Sequence, residues 1–379
     1  MEEKTYFFPI ARLFMELTTI WYPKRMTETS RKVYKILAYF LKGNYYLFVT
    51  LFIIGILTTD SEADRDLNLQ YLPTLIAIAA RMWLLQTKKI KDLYSEIYDV
   101  EKRIASEENQ NLRNIFFDDV KYNKNLTKLI IALNSFTNIQ LILFSMYLWL
   151  ELKNVLFTVV WYPFDSYQYI DLAALHQTLS SAYTFAVYLA LNITIVPLIL
   201  FATTRLKLLC YKFEHFKQFT DNIGLSPKDY LSLLIEEHQD IISYVVSVNH
   251  SMKWCFIVDF MLKSYTFTQY LYTVLKSFNE DRARLGLALF AFIVVSVEIW
   301  YISYHGNELI LVSQELSKCI FANNNWYELD IGLQNDLLMI MVRSERPLSI
   351  VVGNFYTIDN NLFLKIMKAG YTFLLFYNV

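Results

Sequence analysis

Residues 178–204, TLSSAYTFAVYLALNITIVPLILFATT, run without a single charged side chain. A helix crossing the hydrocarbon core of a bilayer needs about 20 consecutive, mostly apolar residues. Backbone groups in lipid must also pair within their own segment. The stretch therefore reads as a membrane-spanning helix. Leu129–Leu150 is a second uncharged run, and Ile36–Leu57, Tyr71–Thr87, Trp254–Leu275, Leu285–Tyr304 and Leu362–Val379 are five more apolar segments of similar length. A soluble helical bundle with a buried central helix can imitate one or two such runs, but seven in a chain that is 55% hydrophobic and 19% charged make an all-α, seven-transmembrane protein.

Lys and Arg in the connections set the orientation. The segments 1–35, 88–124, 205–253 and 305–354 carry seven, eight, six and three, whereas the alternate connections hold only Arg65, Lys153, and the trio Lys276, Arg282 and Arg284. The positive-inside rule then places the N-terminus in the cytoplasm and the C-terminus outside. Cys210, Cys255 and Cys319 fall on the cytoplasmic side, where disulfides are not expected. The sequons at Asn125, Asn192 and Asn249 lie in the cytoplasm or within a span, so none is expected to be glycosylated. Met1–Lys35 is polar and lacks a signal-peptide core, so the first span is expected to serve as its own insertion signal.

The connections carry structure of their own. Ile90, Leu93, Ile97, Val100 and Ile104 have helical spacing across Lys88–Ala105, and Tyr230–Val248 repeats the pattern behind a Ser226-Pro227 start. These helices are expected to extend the spans into a cytoplasmic layer. Trp326–Glu345 reads as a further helix, opened by Asn323-Asn324-Asn325 and stopped at Arg346-Pro347, with Leu333, Leu337, Ile340 and Met341 on its apolar face. Four units follow: a cytoplasmic N-terminal segment (1–35), six spans with long helical connections (36–304), an anchor region (305–354) and a seventh span (355–379).

The last span is unusual for lipid. Asp359, Asn360, Asn361, Lys365 and Lys368 crowd its first half, and the apolar run finishes at Val379. Ionisable residues at membrane depth face water or protein rather than lipid, so this helix is expected to line a pore. Thr372, Leu375, Phe376 and Val379 share one face, and a one-residue slip turns Asn378 inward. Asp259 and Lys263 stand one turn apart in the fifth span and neutralise one another. Glu298 has no such local partner; it is either paired across helices or a gating element. The acidic cluster Asp60, Glu62, Asp64 and Asp66 reads as a solvated outer loop.

The five histidines form no metal-ligand spacing, and eight glycines make no phosphate-cradling loop. No catalytic residue, metal, cofactor or nucleic-acid partner is expected, and the chain is not read as an enzyme.

Trp326-Tyr327, the run Leu337 to Leu348 (LLMIMVRSERPL), Gly353 and Gly370-Tyr371-Thr372-Phe373-Leu374 together resemble the carboxy-terminal signature of insect odorant receptors, and Ile20-Trp21-Tyr22-Pro23 resembles that family's element before the first helix. The likeness in length, span number and orientation covers the chain; motifs are concentrated after Trp326. Where Glu345 stands the family usually has Gln, and its closing aromatic pair is half kept at Phe373-Leu374, which points to a divergent odorant-tuning subunit.

The resemblance implies the odorant-binding subunit of a ligand-gated, non-selective cation channel, forming a heterotetramer with a co-receptor in the plasma membrane of a sensory dendrite. Trp326, Leu333, Leu337, Ile340 and Met341 belong to the implied anchor. A small, volatile, apolar ligand is implied in the outer half of the second, third, fourth and sixth spans, where Leu72, Leu75, Ile76, Met146, Tyr147, Tyr183, Val187, Phe290 and Ile293 are the candidate walls, with Val155–Phe164 as a roof or an interfacial stretch. Membrane lipid surrounds the whole. Two other readings stand at this point: a gustatory-type receptor channel of the same superfamily, and a secondary transporter, against which the lack of an internal repeat counts.

Overall fold

A computed structural model describes residues 5–23, 26–152, 159–165, 168–278, 282–322 and 326–376. The chain is built from helices: α1 (Pro9–Leu17), α2 (Glu28–Thr58), α3 (Glu62–Leu84), α4 (Lys88–Ala105), α5 (Gln110–Leu152), α6 (Ile170–Glu214), α7 (Phe216–Ile223), α8 (Pro227–Ser277), α9 (Arg282–Ala322), α10 (Ile331–Ser344) and α11 (Asn360–Phe376). Over the described residues, each of the seven apolar segments falls largely on a different one of these helices: α2, α3, α5, α6, α8, α9 and α11. By length and composition, Glu28–Thr58, Ile170–Glu214, Pro227–Ser277 and Leu285–Ala322 suffice to cross a membrane, among the described residues. The protein is a multi-pass membrane protein.

The core is organised around α6. Every residue from Leu189 to Leu206 is buried, as expected of a helix that is apolar on all sides and therefore surrounded by protein. α5, α8, α9, α3 and α2 pack around it. The converse holds on the periphery, where Val33, Ile36, Tyr39 and Phe40 of α2 are exposed. An apolar face of this extent marks a surface that meets something other than water.

α4 follows its expected range, with Ile90, Leu93, Ile97 and Val100 buried. Ser226 caps α8 by accepting from the Asp229 backbone N–H at 3.1 Å, and Pro227 fills the first helical position, where its missing N–H costs nothing. From there α8 continues without a break through the fifth span, so the connecting helix extends the span as the sequence suggests.

Three local features differ from expectation. Asn323–Asn325 lie outside the described residues, and α10 is started instead by Asp330, whose carboxylate accepts from the Gly332 N–H, after a short 3₁₀ turn at Trp326–Glu328. The closing helix begins at Asn360 rather than Phe355, because the chain first turns through a two-stranded antiparallel hairpin, Val351–Val352 against Tyr356–Thr357. Asn249 of α8 holds this hairpin, donating to the Ser349 carbonyl and accepting from the Val351 N–H, both at 2.9 Å. Finally, the polar N-terminal segment contains a helix: Ala11 and Met15 of α1 and Phe8 just before it are buried, and the Phe7 ring meets Phe201 of α6 at 5.4 Å. Its apolar residues are too few to stand out against a membrane span.

Candidate binding cavity and buried charge network

A cavity of ≈ 260 Å³ opens between the membrane helices. Phe48 and Phe52 enter it from α2, Tyr71, Thr74, Leu75 and Ile78 from α3, Asn134, Thr137 and Asn138 from α5, Ser181, Thr184, Phe185 and Tyr188 from α6, Thr266 and Tyr270 from α8, and Ala291, Val294 and Val295 from α9. Apolar and aromatic walls with a few polar groups are the usual make-up of a small-molecule site. Many of the polar groups are already occupied. The hydroxyls of Thr137, Thr184 and Thr266 donate to the carbonyls of Leu133, Ser180 and Leu262 one turn earlier in their own helices, at 2.7–3.0 Å. Such hydroxyls retain acceptor capacity without presenting a charge.

One end of the bundle is closed by the segment 159–165. Val160 is buried among Phe48, Leu51, Phe52, Ile56 and Leu75. Asn68 of α3 donates to the Val159 carbonyl at 2.6 Å, and Trp161 N–H donates to the Leu51 carbonyl at 3.2 Å. The close approach needs a glycine: a Cβ on Gly55 stands only 2.7 Å from the Val159 oxygen. The described part of the Val155–Phe164 stretch thus packs against the same α2 and α3 side chains that line the cavity.

Behind the wall formed by Asn134 and Tyr188 lies a connected set of charges. Asp259 of α8 is paired with Lys263 at 2.9 Å and with Arg81 of α3 at 2.9 Å, all three almost completely buried. The Arg81–Asp259 approach through Nη1 is an ion pair that is off hydrogen-bond alignment. Arg81 also reaches the Asn192 Oδ1 of α6 at 3.4 Å. Asn192 donates in turn to Glu298 of α9 at 3.1 Å, and Glu298 accepts further from Asn134 at 2.8 Å and Tyr188 at 3.0 Å. Glu298 is therefore paired across helices, one hydrogen bond behind the cavity surface. The sequence reading of Asp259 was incomplete, because its second partner sits in another span. Two cations and two anions give the network zero formal charge, the condition under which burying ions is tolerable.

Of the suggested wall residues, Leu75 lines the cavity and Leu72 packs beside Phe48 and Phe52. Val187 is fully buried in the core, and Tyr183 donates to the Thr18 carbonyl at 3.1 Å, tying α6 to the end of α1. Phe290 meets Phe136 with ring centres 4.8 Å apart, while Ile76 and Ile293 are 51% and 55% exposed. Met146 and Tyr147 lie on α5, their side chains outside the described residues. The lining residues missed include Phe48, Phe52, Tyr188 and Tyr270, which look like any other apolar or aromatic position in a span, and the Ser, Thr and Asn residues, which leave no mark on a hydropathy profile.

At the other end of the chain, Thr372 is exposed on α11 and donates to the Lys368 carbonyl at 2.9 Å. The side chains of Leu375 and Phe376, together with Asn378 and Val379, lie outside the described residues. α11 packs on α8 so closely that a Cβ on Gly370 falls 2.6 Å from the Phe267 ring. On α10, Leu337 and Ile340 are buried and Leu333 and Met341 half-buried, whereas Leu338, Met339 and Val342 form an exposed apolar stripe; Trp326, in the preceding 3₁₀ turn, packs beside Phe321.

The sequence model of the family described as "7tm Odorant receptor" matches residues 67–371. Odorant receptor 10 of Aedes albopictus is 28% identical over 193 residues, covering 49% of each chain. Odorant receptor 49a of Drosophila melanogaster is 28% identical over 153 residues, covering 38% of this chain and 36% of that one. The chain thus spans about half, or less, of the length of the curated relatives it matches. Among solved structures, the insect olfactory receptor OR5 from Machilis hrabei in complex with eugenol superposes with a TM-score of 0.79 over 98% of both chains at 14% identity, and the same receptor described without eugenol gives 0.78.

Proposed function

The chain belongs to the insect family of seven-transmembrane odorant receptors, and from that premise we propose that it is the odorant-binding subunit of a ligand-gated, non-selective cation channel, assembled with a co-receptor as a heterotetramer in the plasma membrane of a sensory dendrite. The observation that carries this reading is the cavity in front of Glu298: aromatic and aliphatic walls, helix-satisfied hydroxyls and a charge network that is internally neutral. Such a site takes a small uncharged volatile. The eugenol complex of the similar receptor supports an aromatic ligand with a polar substituent as the first class to test.

The N-terminus faces the cytoplasm and the cavity lies in the outer half of the membrane. Thr372, Leu375 and Phe376 of α11, with Asn378 and Val379 beyond it, line the conduction path. The anchor face offered to neighbouring subunits is the exposed Leu338, Met339 and Val342 stripe of α10, supported from behind by Leu337 and Ile340.

Currents recorded from cells expressing the chain with and without a co-receptor test this. Odorant-evoked current is expected only with both chains present. Substrate uptake without conductance, or full function alone on tastants, overturns the reading. Replacing Phe376 by Ala is expected to change conductance or resting leak while sparing ligand preference; a change confined to ligand preference removes the pore assignment.

A further inference from the structure

A second cavity, ≈ 270 Å³, lies between α1 and α4, away from the one just described. Its walls are aromatic. Trp21 and Phe8 meet the Tyr94 ring at 4.6 and 5.0 Å, both edge-on, and Tyr22 and Tyr98 complete the lining. The Trp21 indole N–H donates to the Leu85 carbonyl at 3.0 Å, immediately after α3 ends. The cavity therefore sits at the level where a span emerges, the depth at which Trp and Tyr are enriched in membrane proteins. Its Tyr22 edge touches Tyr34 of α2, with ring centres 5.5 Å apart. Tyr34 neighbours Val33 and Leu37, both on the exposed apolar face of α2. The mouth of the cavity therefore adjoins exposed apolar residues of α2.

The polar groups around it are unequally engaged. Glu16 is held by Arg12 at 2.8 Å. Glu101, fully buried, accepts from the backbone N–H groups of Tyr6 and Phe7 at 3.0 and 2.9 Å, and burial pushes its carboxyl up to about 7. Lys91 lines the cavity, is exposed, and has no ion pair among the described residues. Both carboxylates are occupied while one cation is open, so an organic cation is disfavoured and an anion favoured. The volume lies just below the roughly 300–1,000 Å³ of small-molecule pockets, room for one chain rather than two.

We propose that this cavity binds a single-chain anionic amphiphile from the membrane, with the chain between Trp21, Tyr94 and Phe8 and the carboxylate or phosphate on Lys91. The proposal needs only a membrane protein, so it stands apart from the odorant reading. The test uses the full-length protein in phosphatidylcholine nanodiscs, irradiated with a diazirine-bearing long-chain fatty acid and mapped by peptide mass spectrometry. Label is expected on the α1 and α4 peptides. It should fall roughly tenfold in Lys91→Gln, as for loss of a charge-assisted contact, and disappear in Ser95→Trp, which fills the cavity. Competition by oleate or by lysophosphatidic acid supports the proposal, and the stronger competitor identifies the source of the head group. Label confined to α2, label unchanged in Lys91→Gln, or equal labelling by the matched alkylamine or alcohol overturns it. If Ser95→Trp loses its helical circular dichroism, the surface variant Lys91→Glu carries the same test.

Discussion

The two cavities are almost equal in volume, ≈ 260 and ≈ 270 Å³, yet they manage charge in opposite ways. In the membrane cavity every ion stands behind the wall, and Arg81, Lys263, Asp259 and Glu298 cancel before anything reaches the surface. At the α1–α4 cavity the acids are tied off and Lys91 is left facing outward. Selectivity for ligand charge thus depends less on which charged residues are nearby than on which of them remain uncommitted.

The largest effect that can break this comparison is expected from Asp259→Asn. It leaves Arg81 and Lys263 buried without their shared anion and should cost about 3–5 kcal/mol, read as a loss of folded receptor in thermal unfolding of the solubilised protein. Next is the pH response of the α1–α4 region. Glu101 holds its proton up to about pH 7 in the folded chain, against an ordinary value of 4.5. Between these values the folded state binds more protons than the unfolded one, so stability declines as pH rises through the window. The decline should total on the order of 3 kcal/mol, and Glu101→Gln should flatten it in melting curves taken from pH 4.5 to 8.

Glu298→Gln comes third. It keeps the shape but removes the anion that Asn134, Asn192 and Tyr188 address. A loss of about 2 kcal/mol is expected, together with altered ligand sensitivity at unchanged single-channel conductance. The smallest effect sharpens the comparison rather than breaking it. Val294→Phe intrudes into the membrane cavity and should raise the half-maximal odorant concentration about tenfold, with labelling of the α1–α4 cavity unaltered.

The spans were legible because lipid demands long apolar runs, and the fully buried stretch of α6, Leu189 to Leu206, overlaps the latter part of the uncharged run 178–204. Asp259 and Lys263 were legible as a pair because one helical turn separates them. Arg81 was not, since its meeting with Asp259 depends on how α3 and α8 cross, and no periodicity within either helix encodes that. The same holds for Glu298, whose three donors come from α5 and α6. Leu75 could be read as a cavity residue from its apolar character. Thr137, Thr184 and Thr266 could not, because a hydroxyl bonded to its own helix looks in sequence like any neutral position in a span.

The Arg81–Asp259 pair also imposes an order on biosynthesis. α3 leaves the ribosome well before α8, so Arg81 reaches the membrane while its counter-ion has yet to be translated. A lone guanidinium is costly at the bilayer centre and tends to stay near the head groups. α3 is therefore expected to settle at its final depth only after α8 has entered, so that the second span to be threaded is among the last to be seated.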